Sequence, residues 1–169
     1  MAMVHVRKIA MEDAEAYLQL CRQLDEETSF MLYEPGERET TVPEERARLA
    51  SMFGRDNQTA FVAEVDGRIV GHIQAMGGHV RRNRRTVYLV IGILQAYTGQ
   101  GIGTALFRAV EAWARTVGVH RLELTVMTHN EAAIGLYRKM GFQIEGTARE
   151  TLFVDGRYVD EYWMAKLLA

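Results

Sequence analysis

Residues 87–104 read VYLVIGILQAYTGQGIGT, and this stretch decides the fold. Its first half, residues 87–94, is a nearly continuous apolar run, which is typical of a strand covered on both faces. A glycine-rich turn follows at residues 99–103. A helix then begins, because apolar residues recur with a 3.6 period across 102–117 and Gly118 stands where a C-terminal cap is expected. The stretch therefore predicts a buried strand that turns through glycines directly into a helix.

Antiparallel hairpins are predicted on either side of this unit. Asp66-Gly67 and Asp155-Gly156 each separate two strand-like runs, and an Asp-Gly pair in that position is a strong hairpin signal. The other predicted elements are a strand at 5–9, a helix through 14–24, a helix from about 43 to 53, a strand at 121–126 and a helix from 131 to 140. This order predicts an α/β protein of the α+β kind, with a mixed sheet and helices on its faces.

Composition and charge limit the class of protein. The chain has 169 residues, of which 48% are hydrophobic and 25% charged, so we expect residues 1–169 to form a single domain. A net charge of -2 gives no basic field for a polyanion, so no nucleic-acid partner is expected. The first residues lack an apolar signal region and no stretch is long enough to cross a bilayer, so we expect no membrane partner and a cytoplasmic location. Cys21, the single cysteine, agrees with a reducing compartment and offers no metal pair.

The glycine turn is a candidate phosphate site. A strand that ends in glycines and opens into a helix directs several backbone N–H groups, and the positive end of the helix dipole, at one small volume. A P-loop is excluded because the chain contains no Gly-Lys pair. A Rossmann motif, GxGxxG, fits poorly because Thr104 stands where its third glycine is required, three residues after Gly101. Glu123 lies at the sequence distance expected of the acid that binds the ribose, but it is in the middle of a strand and not at its end. A dinucleotide-binding oxidoreductase remains a minor alternative.

Two motifs point to a known family. Residues 98–103 read TGQGIG directly after the apolar strand, and residues 130–142 read NEAAIGLYRKMGF. In both, the chain resembles the GNAT superfamily of acetyl-CoA-dependent N-acetyltransferases. In that family the acyl-CoA turn is usually (Arg or Gln)-x-x-Gly-x-(Gly or Ala). Residues 130–142 of this chain are similar to the family's second motif, N-x-x-A-x-x-L-Y-x-K-x-G-F. Thr98 departs from the first pattern, which should weaken cofactor binding without abolishing it, because backbone amides hold most of the phosphate.

The resemblance implies a fold, a cosubstrate and a site. The fold would be a mostly antiparallel twisted sheet with one parallel strand pair splayed around the coenzyme A, and the backbone around residues 91–93 would pair with the pantetheine arm. Asn130 would bond the pantetheine side, and Tyr137 would face the sulfur. The implied acetyl-CoA-binding residues are Ile91, Gly92, Ile93, Thr98, Gly99, Gln100, Gly101, Ile102, Gly103, Thr104, Asn130, Ala133, Tyr137 and Lys139.

The implied reaction is transfer of acetyl from acetyl-CoA to a primary amine, which is a small-molecule amine, a polyamine, an amino acid or a protein amino terminus. Such a transfer needs a neutral amine, a stabilised oxyanion and a proton for the leaving thiolate. Tyr137 is the candidate catalytic acid, and a backbone N–H near Ile93 is the candidate oxyanion donor. The base stays open among four residues: His72, His129, Glu123 and Glu161. Cys21 lies on the apolar face of a helix, so direct transfer is favoured over a covalent route.

Three further questions are left open by the sequence. A non-catalytic acyl-CoA-binding module would keep the glycine turn but would not need Tyr137, so catalysis is favoured. Residues 26–34 combine carboxylates with apolar groups, which fits a cationic acceptor, cover for the core or a dimer interface. Nine methionines and several aromatics make a homodimer plausible.

Overall fold

The computed structural model describes residues 3–169. Seven strands form one sheet: β1 (Val4–Lys8), β2 (Gln58–Val65), β3 (Arg68–Gly77), β4 (Thr86–Ile93), β5 (Arg121–Met127), β6 (Gln143–Val154) and β7 (Arg157–Leu167). Their order across the sheet is β1-β2-β3-β4-β5-β7-β6. Every neighbouring pair is antiparallel except β4 and β5, which run parallel. The predicted mixed sheet with one parallel pair is confirmed.

Four helices accompany the sheet: α1 (Ala14–Glu27), α2 (Val42–Phe53), α3 (Ile102–Thr116) and α4 (Glu131–Lys139). Their ends follow local chemistry. Thr41 and Glu44 form a reciprocal capping box at the start of α2. Gly118 has a φ of 77° just past the end of α3, as a C-terminal cap requires. No helix within residues 3–169 has the length and apolar character that a membrane span requires.

The helices lie on both faces of the sheet, as the contacts of two neighbouring residues of β4 show. A Cβ added to Gly92 would lie 2.7 Å from Leu24 of α1, whereas Ile93 reaches Gly103 of α3. Successive residues of a strand point to opposite faces, so α1 and α3 cover opposite sides of β4. Their buried side chains join those of the central strands in one hydrophobic core, which includes Leu106 and Val110 on the α3 side.

Both predicted hairpins are present. Asp66 and Gly67 have φ values of 51° and 77°, and Asp155 and Gly156 have values of 50° and 81°. Two consecutive residues with positive φ form a type I′ turn, whose twist matches that of the flanking strands. The first turn joins β2 to β3 and the second joins β6 to β7.

Candidate active site

A cleft opens where the parallel strands β4 and β5 separate. They pair at three positions, from Thr86 with Arg121 to Tyr88 with Glu123. Beyond Tyr88 the pairing stops, although β4 continues to Ile93 and β5 to Met127. The cleft therefore has a closed end at Tyr88 and an open end at Ile93, beside the glycine turn.

The register of β4 leaves two residues with backbone groups directed into this cleft. Leu94 donates its N–H to the Val70 carbonyl at 2.9 Å, and the pairing of β3 with β4 runs without a break. Hydrogen-bonded pairs alternate along antiparallel strands, so the even-numbered residues of β4 bond to β3 and the odd-numbered ones face β5. Among residues 3–169, the amides and carbonyls of Ile91 and Ile93 have no backbone partner across the cleft. They form an open strand edge.

Gly92 lies between these two residues but faces differently. Its backbone pairs with His72 of β3. Its missing side chain lets Leu24 approach closely, since an added Cβ would stand 2.7 Å from a Leu24 methyl carbon. Gly92 thus lets α1 pack tightly against β4 at the cleft.

The amino end of α3 presents free amides at the open end of the cleft. Ala105 donates to the Gly101 carbonyl at 3.1 Å, which is the first bond of the helix. The amides of residues 102–104 precede that bond, and no side chain within the described chain caps them. In contrast, α2 and α4 are capped by Thr41 and Asn130. Uncapped amides at the positive end of a helix suit an anion such as a phosphate.

The glycines of the turn serve two different purposes. Gly99 and Gly101 have φ values of 74° and 81°, a backbone conformation that favours glycine. Gly103 instead lies inside α3, where an added Cβ would stand 2.6 Å from Leu136 of α4. The first two shape the turn, and the third brings α4 against the start of α3. The exposed Thr98 hydroxyl donates to the Gln95 carbonyl at 2.8 Å.

One side of α4 faces this region. Asn130 caps the helix by accepting a hydrogen bond from the Ala133 amide at 3.3 Å, which leaves its own NH₂ group available. Asn130, Ala133 and Tyr137 follow at helical spacing and share one side of the helix. Lys139 is exposed and lies roughly half a turn round the helix from Asn130, so the fold does not bring it together with the other predicted site residues.

Tyr137 is almost completely buried, with 7% of its surface exposed. Its ring packs edge to face on Phe107 of α3 and contacts Phe142. Burial, and to a lesser extent the nearby phenol of Tyr88, raises the pKa of the Tyr137 hydroxyl. The hydroxyl therefore stays protonated at neutral pH.

The segment between α1 and α2 borders the cleft. Glu27 accepts a hydrogen bond from the Gln95 amide at 2.6 Å, which ties the end of α1 to the residue after β4. Phe30 packs against His129, the residue before Asn130, with 5.1 Å between ring centroids and the ring planes tilted by 50°. These contacts hold the segment against both sides of the cleft.

Sequence comparison assigns the protein to a family. A family model described as the acetyltransferase (GNAT) family matches residues 17–142. The chain belongs to the GNAT acetyltransferase family. Members of this family take the acetyl group from acetyl-CoA, so the glycine turn and the cleft lie in an acyltransferase, as the two motifs predicted.

Two relatives of this GNAT chain have names that specify their substrates. It is 36% identical over 107 residues to the L-amino acid N-acetyltransferase of Escherichia coli strain K12, a match that spans 63% of this chain and 66% of that protein. It is 31% identical over 164 residues to the spermidine N(1)-acetyltransferase of the same strain, with 92% of this chain and 81% of that protein covered.

Solved structures agree with the GNAT fold. The acetyltransferase of the GNAT family from Streptococcus pneumoniae has a TM-score of 0.94 and 30% sequence identity, and the match covers 98% of this chain and 100% of that one. The predicted GNAT-like architecture is therefore confirmed.

Two residues considered for proton transfer or covalent catalysis in this GNAT enzyme are buried. His72 is 2% exposed, and burial together with Arg38 and Arg48 lowers its pKa to about 3, so it is a poor proton acceptor. Cys21 is 3% exposed, and burial raises the pKa of its thiol.

The sequence alone did not single out the contact that closes the GNAT cleft. Tyr88 and Thr125 share a hydrogen bond of 2.6 Å between their hydroxyl oxygens, across the point where β4 and β5 separate. Alternation along β4 places Tyr88 on the same side as Gly92, but nothing in the sequence indicates which residue of β5 stands opposite.

Proposed function

We propose that the enzyme transfers acetyl from acetyl-CoA to a primary amine by direct attack within a ternary complex, with residues 1–169 acting as one catalytic domain. The observation that carries the proposal is the open strand edge of Ile91 and Ile93, which leads straight to the uncapped amides of α3. A ligand with an extended amide-containing arm and a diphosphate matches both features. Acetyl-CoA has this shape.

The binding roles follow from position. The amides from Gly99 to Thr104 hold the diphosphate, and the backbone of Ile91 and Ile93 pairs with the pantetheine arm as an added strand would. Asn130 bonds the arm from the other side through its free NH₂ group. Gly92 contributes through the close packing it allows, and Ala133 lies on the same side of α4 as Asn130. Lys139, on the opposite side of α4, is left out of the site.

Three events make up the transfer. The amine nitrogen attacks the thioester carbonyl. A free backbone N–H of the β4 edge stabilises the negative oxygen, and it is that of Ile91, two residues from the predicted Ile93 and nearer the closed end of the cleft. The carbon–sulfur bond then breaks, and Tyr137 gives its phenolic proton to the leaving sulfur. An amine that binds as an ammonium ion loses one proton before the attack and a second once the carbon–nitrogen bond has formed. His129, Glu123 and Glu161 are the candidate acceptors, and Tyr137 regains its proton from one of these groups or from solvent. Direct attack is supported by Cys21, because a buried thiol with a raised pKa is a weak nucleophile.

A cationic amine fits the surroundings of the cleft. The names of both Escherichia coli relatives specify amine substrates, an amino acid in one and spermidine in the other. Glu26 and Glu34 are exposed on or next to the segment that borders the cleft, whereas Glu27 is bonded to the Gln95 amide. We therefore place Glu26 and Glu34 at the acceptor side. Unchanged KM values for cationic amines in a Glu26→Gln, Glu34→Gln double variant would refute this placement.

Two features of the environment belong to the same proposal. The free, buried Cys21 supports a reducing compartment such as the cytoplasm.

Phe153 and Tyr158, 62% and 66% exposed at the tip of the β6–β7 hairpin, support a homodimer formed through that hairpin. Light scattering on the wild type and on a Phe153→Ser, Tyr158→Ser variant tests it, and a monomeric wild type would contradict it.

Thermal unfolding with acetyl-CoA, CoA and NAD in turn tests the cosubstrate, because a ligand that binds only the folded state raises the Tm. A shift with acetyl-CoA and CoA is expected, followed by thiol release when amines are added. A shift with NAD alone would favour the dinucleotide alternative. Binding of acetyl-CoA without thiol release across amino acids, polyamines and peptides would favour a non-catalytic binding module.

A further inference from the structure

The closed end of the cleft is built from side chains as well as from backbone pairing. Tyr88 reaches across from β4 and shares a 2.6 Å hydrogen bond with Thr125 of β5. Thr125 lies two residues beyond Glu123, the last residue of β5 paired with β4. The Tyr88 side chain therefore leans over the first part of the cleft rather than over the paired region.

The Tyr88 ring is fixed in that position. Trp163 of β7 packs edge to face on it, with ring centroids 6.0 Å apart. Thr125 and Trp163 are direct partners in the pairing of β5 with β7, so both contacts come from one rigid part of the sheet. A ring held by a hydrogen bond and an aromatic contact cannot easily move aside for a larger ligand.

The direction of the acyl-CoA arm brings its reactive end to this ring. The diphosphate-binding amides of α3 follow the open end of the cleft, and the free backbone groups occur first at Ile93 and then at Ile91. An arm that starts at α3 and pairs with both residues runs backwards along β4, toward Tyr88. The thioester, and the acyl group beyond it, therefore point to the closed end.

Tyr88 and Tyr137 enclose that end from opposite faces of the sheet. Tyr88 shares the α1 side with Gly92, whereas Tyr137 packs on Phe107 of α3. The two phenols are close enough for Tyr88 to contribute to the raised pKa of Tyr137. An acyl group carried to that end of the cleft would therefore approach both tyrosines.

We propose that Tyr88, held by Thr125 and Trp163, is the specificity-determining residue that limits the acyl group to acetyl. The proposal rests on the proposed acetyl-CoA site. An acetyl group ends before the ring, whereas each further methylene must displace it. Discrimination of one methylene by a pocket wall is worth about tenfold or more in specificity.

The test compares acetyl-CoA with butyryl-CoA. Dissociation constants from calorimetry need no acceptor, and transfer rates are added with any amine found active for the wild type. The wild type is expected to prefer acetyl-CoA by about tenfold or more, and Tyr88→Ala to reduce that ratio by about the same factor. Tyr88→Phe keeps the ring and its contact with Trp163 but loses the hydrogen bond to Thr125, so it should shift the ratio much less than Tyr88→Ala. Thr125→Val keeps the side-chain shape but releases the ring, so a smaller shift toward butyryl-CoA is expected.

The outcomes separate the two proposals. If the wild type binds neither acetyl-CoA nor CoA, the acyl-CoA site itself is refuted. If the wild type binds acetyl-CoA and butyryl-CoA equally, or if Tyr88→Ala leaves their ratio unchanged, the role of Tyr88 is refuted while the site stands. Circular dichroism checks that Tyr88→Ala is folded. Should it be unfolded, Tyr88→Leu with propionyl-CoA takes its place, with the same direction of change expected.

Discussion

The rings of Tyr137 and Phe107 meet edge to face, with their centroids 5.7 Å apart and their planes at 74°. This contact belongs to the ring of Tyr137 and not to its hydroxyl, which makes no hydrogen bond to any of residues 3–169. A Tyr137→Phe variant would therefore keep the packing of α4 on α3 and remove only the proton donor.

Tyr137→Phe is expected to lower kcat by about 100-fold or more while leaving the Kd for acetyl-CoA nearly unchanged. The reason is that the phenol acts on the leaving sulfur and not on the bound arm. Thiol-release kinetics and calorimetry measure the two quantities. Tyr158→Phe is the matched control, because that tyrosine is 66% exposed and far along the terminal hairpin. Equal losses of kcat in both variants would contradict the acid role.

Gly101→Ala is expected to weaken acetyl-CoA binding and to destabilise the fold. Gly101 has a φ of 81° and leads into the uncapped amides of α3, so a side chain there strains the turn by about 1–2 kcal/mol and displaces those amides. Gly156 also has a φ of 81° but lies in the β6–β7 turn. Gly156→Ala should cost similar stability without changing the Kd for acetyl-CoA. An unchanged Kd in Gly101→Ala would place the diphosphate elsewhere.

The buried His72 makes stability depend on pH. Its pKa is about 3 in the folded protein, below the ordinary value of 6.5, so only the unfolded chain gains a proton here as the pH falls below about 6.5. The free energy of unfolding should drop by about 2 kcal/mol between pH 7 and pH 5 from this residue. Urea titrations at both pH values measure the drop.

His72→Gln should remove most of that drop, whereas His129→Gln should leave it in place because His129 is exposed. The Gln variant is also expected to be less stable at pH 7, since it loses the 3.1 Å contact of the His72 Nδ1 atom with the Tyr17 hydroxyl. The same pH dependence in His72→Gln and wild type would show that other groups control it.

The ion pair of Asp25 with Arg38 should hold the segment between α1 and α2. The Asp25 side chain is 1% exposed and accepts from Arg38 at 2.9 Å, and the Arg38 guanidinium lies 4.4 Å from the centre of the Tyr33 ring. Asp25→Ala is expected to cost about 3 kcal/mol and to make residues 28–41 more sensitive to proteases. Asp56→Ala, which breaks an exposed pair with Arg84, should cost less than about 1 kcal/mol. Equal protease sensitivity in the two variants would contradict this role.

Local chemistry in the sequence was enough for the elements and their order. The Asp66-Gly67 and Asp155-Gly156 pairs determine type I′ turns because both positions need positive φ, and Gly118 ends α3 for the same reason. The apolar run at 87–94 and the glycines after it were sufficient to predict the strand, the turn and the helix that follows. The two motifs at 98–103 and 130–142 indicated the family, which the comparison confirmed.

The contacts between residues far apart in the sequence depend on the tertiary fold. The free backbone edge at Ile91 and Ile93 depends on the register of β4 against β3 and on the point where β5 diverges, and register involves residues far apart in the chain. The burial that makes His72 a poor base depends on α1 crossing β3, and the Tyr88–Thr125 contact depends on the pairing of two strands separated by a whole helix. Periodicity assigns a side chain to a face, but its neighbour across the sheet is set by packing of the complete chain.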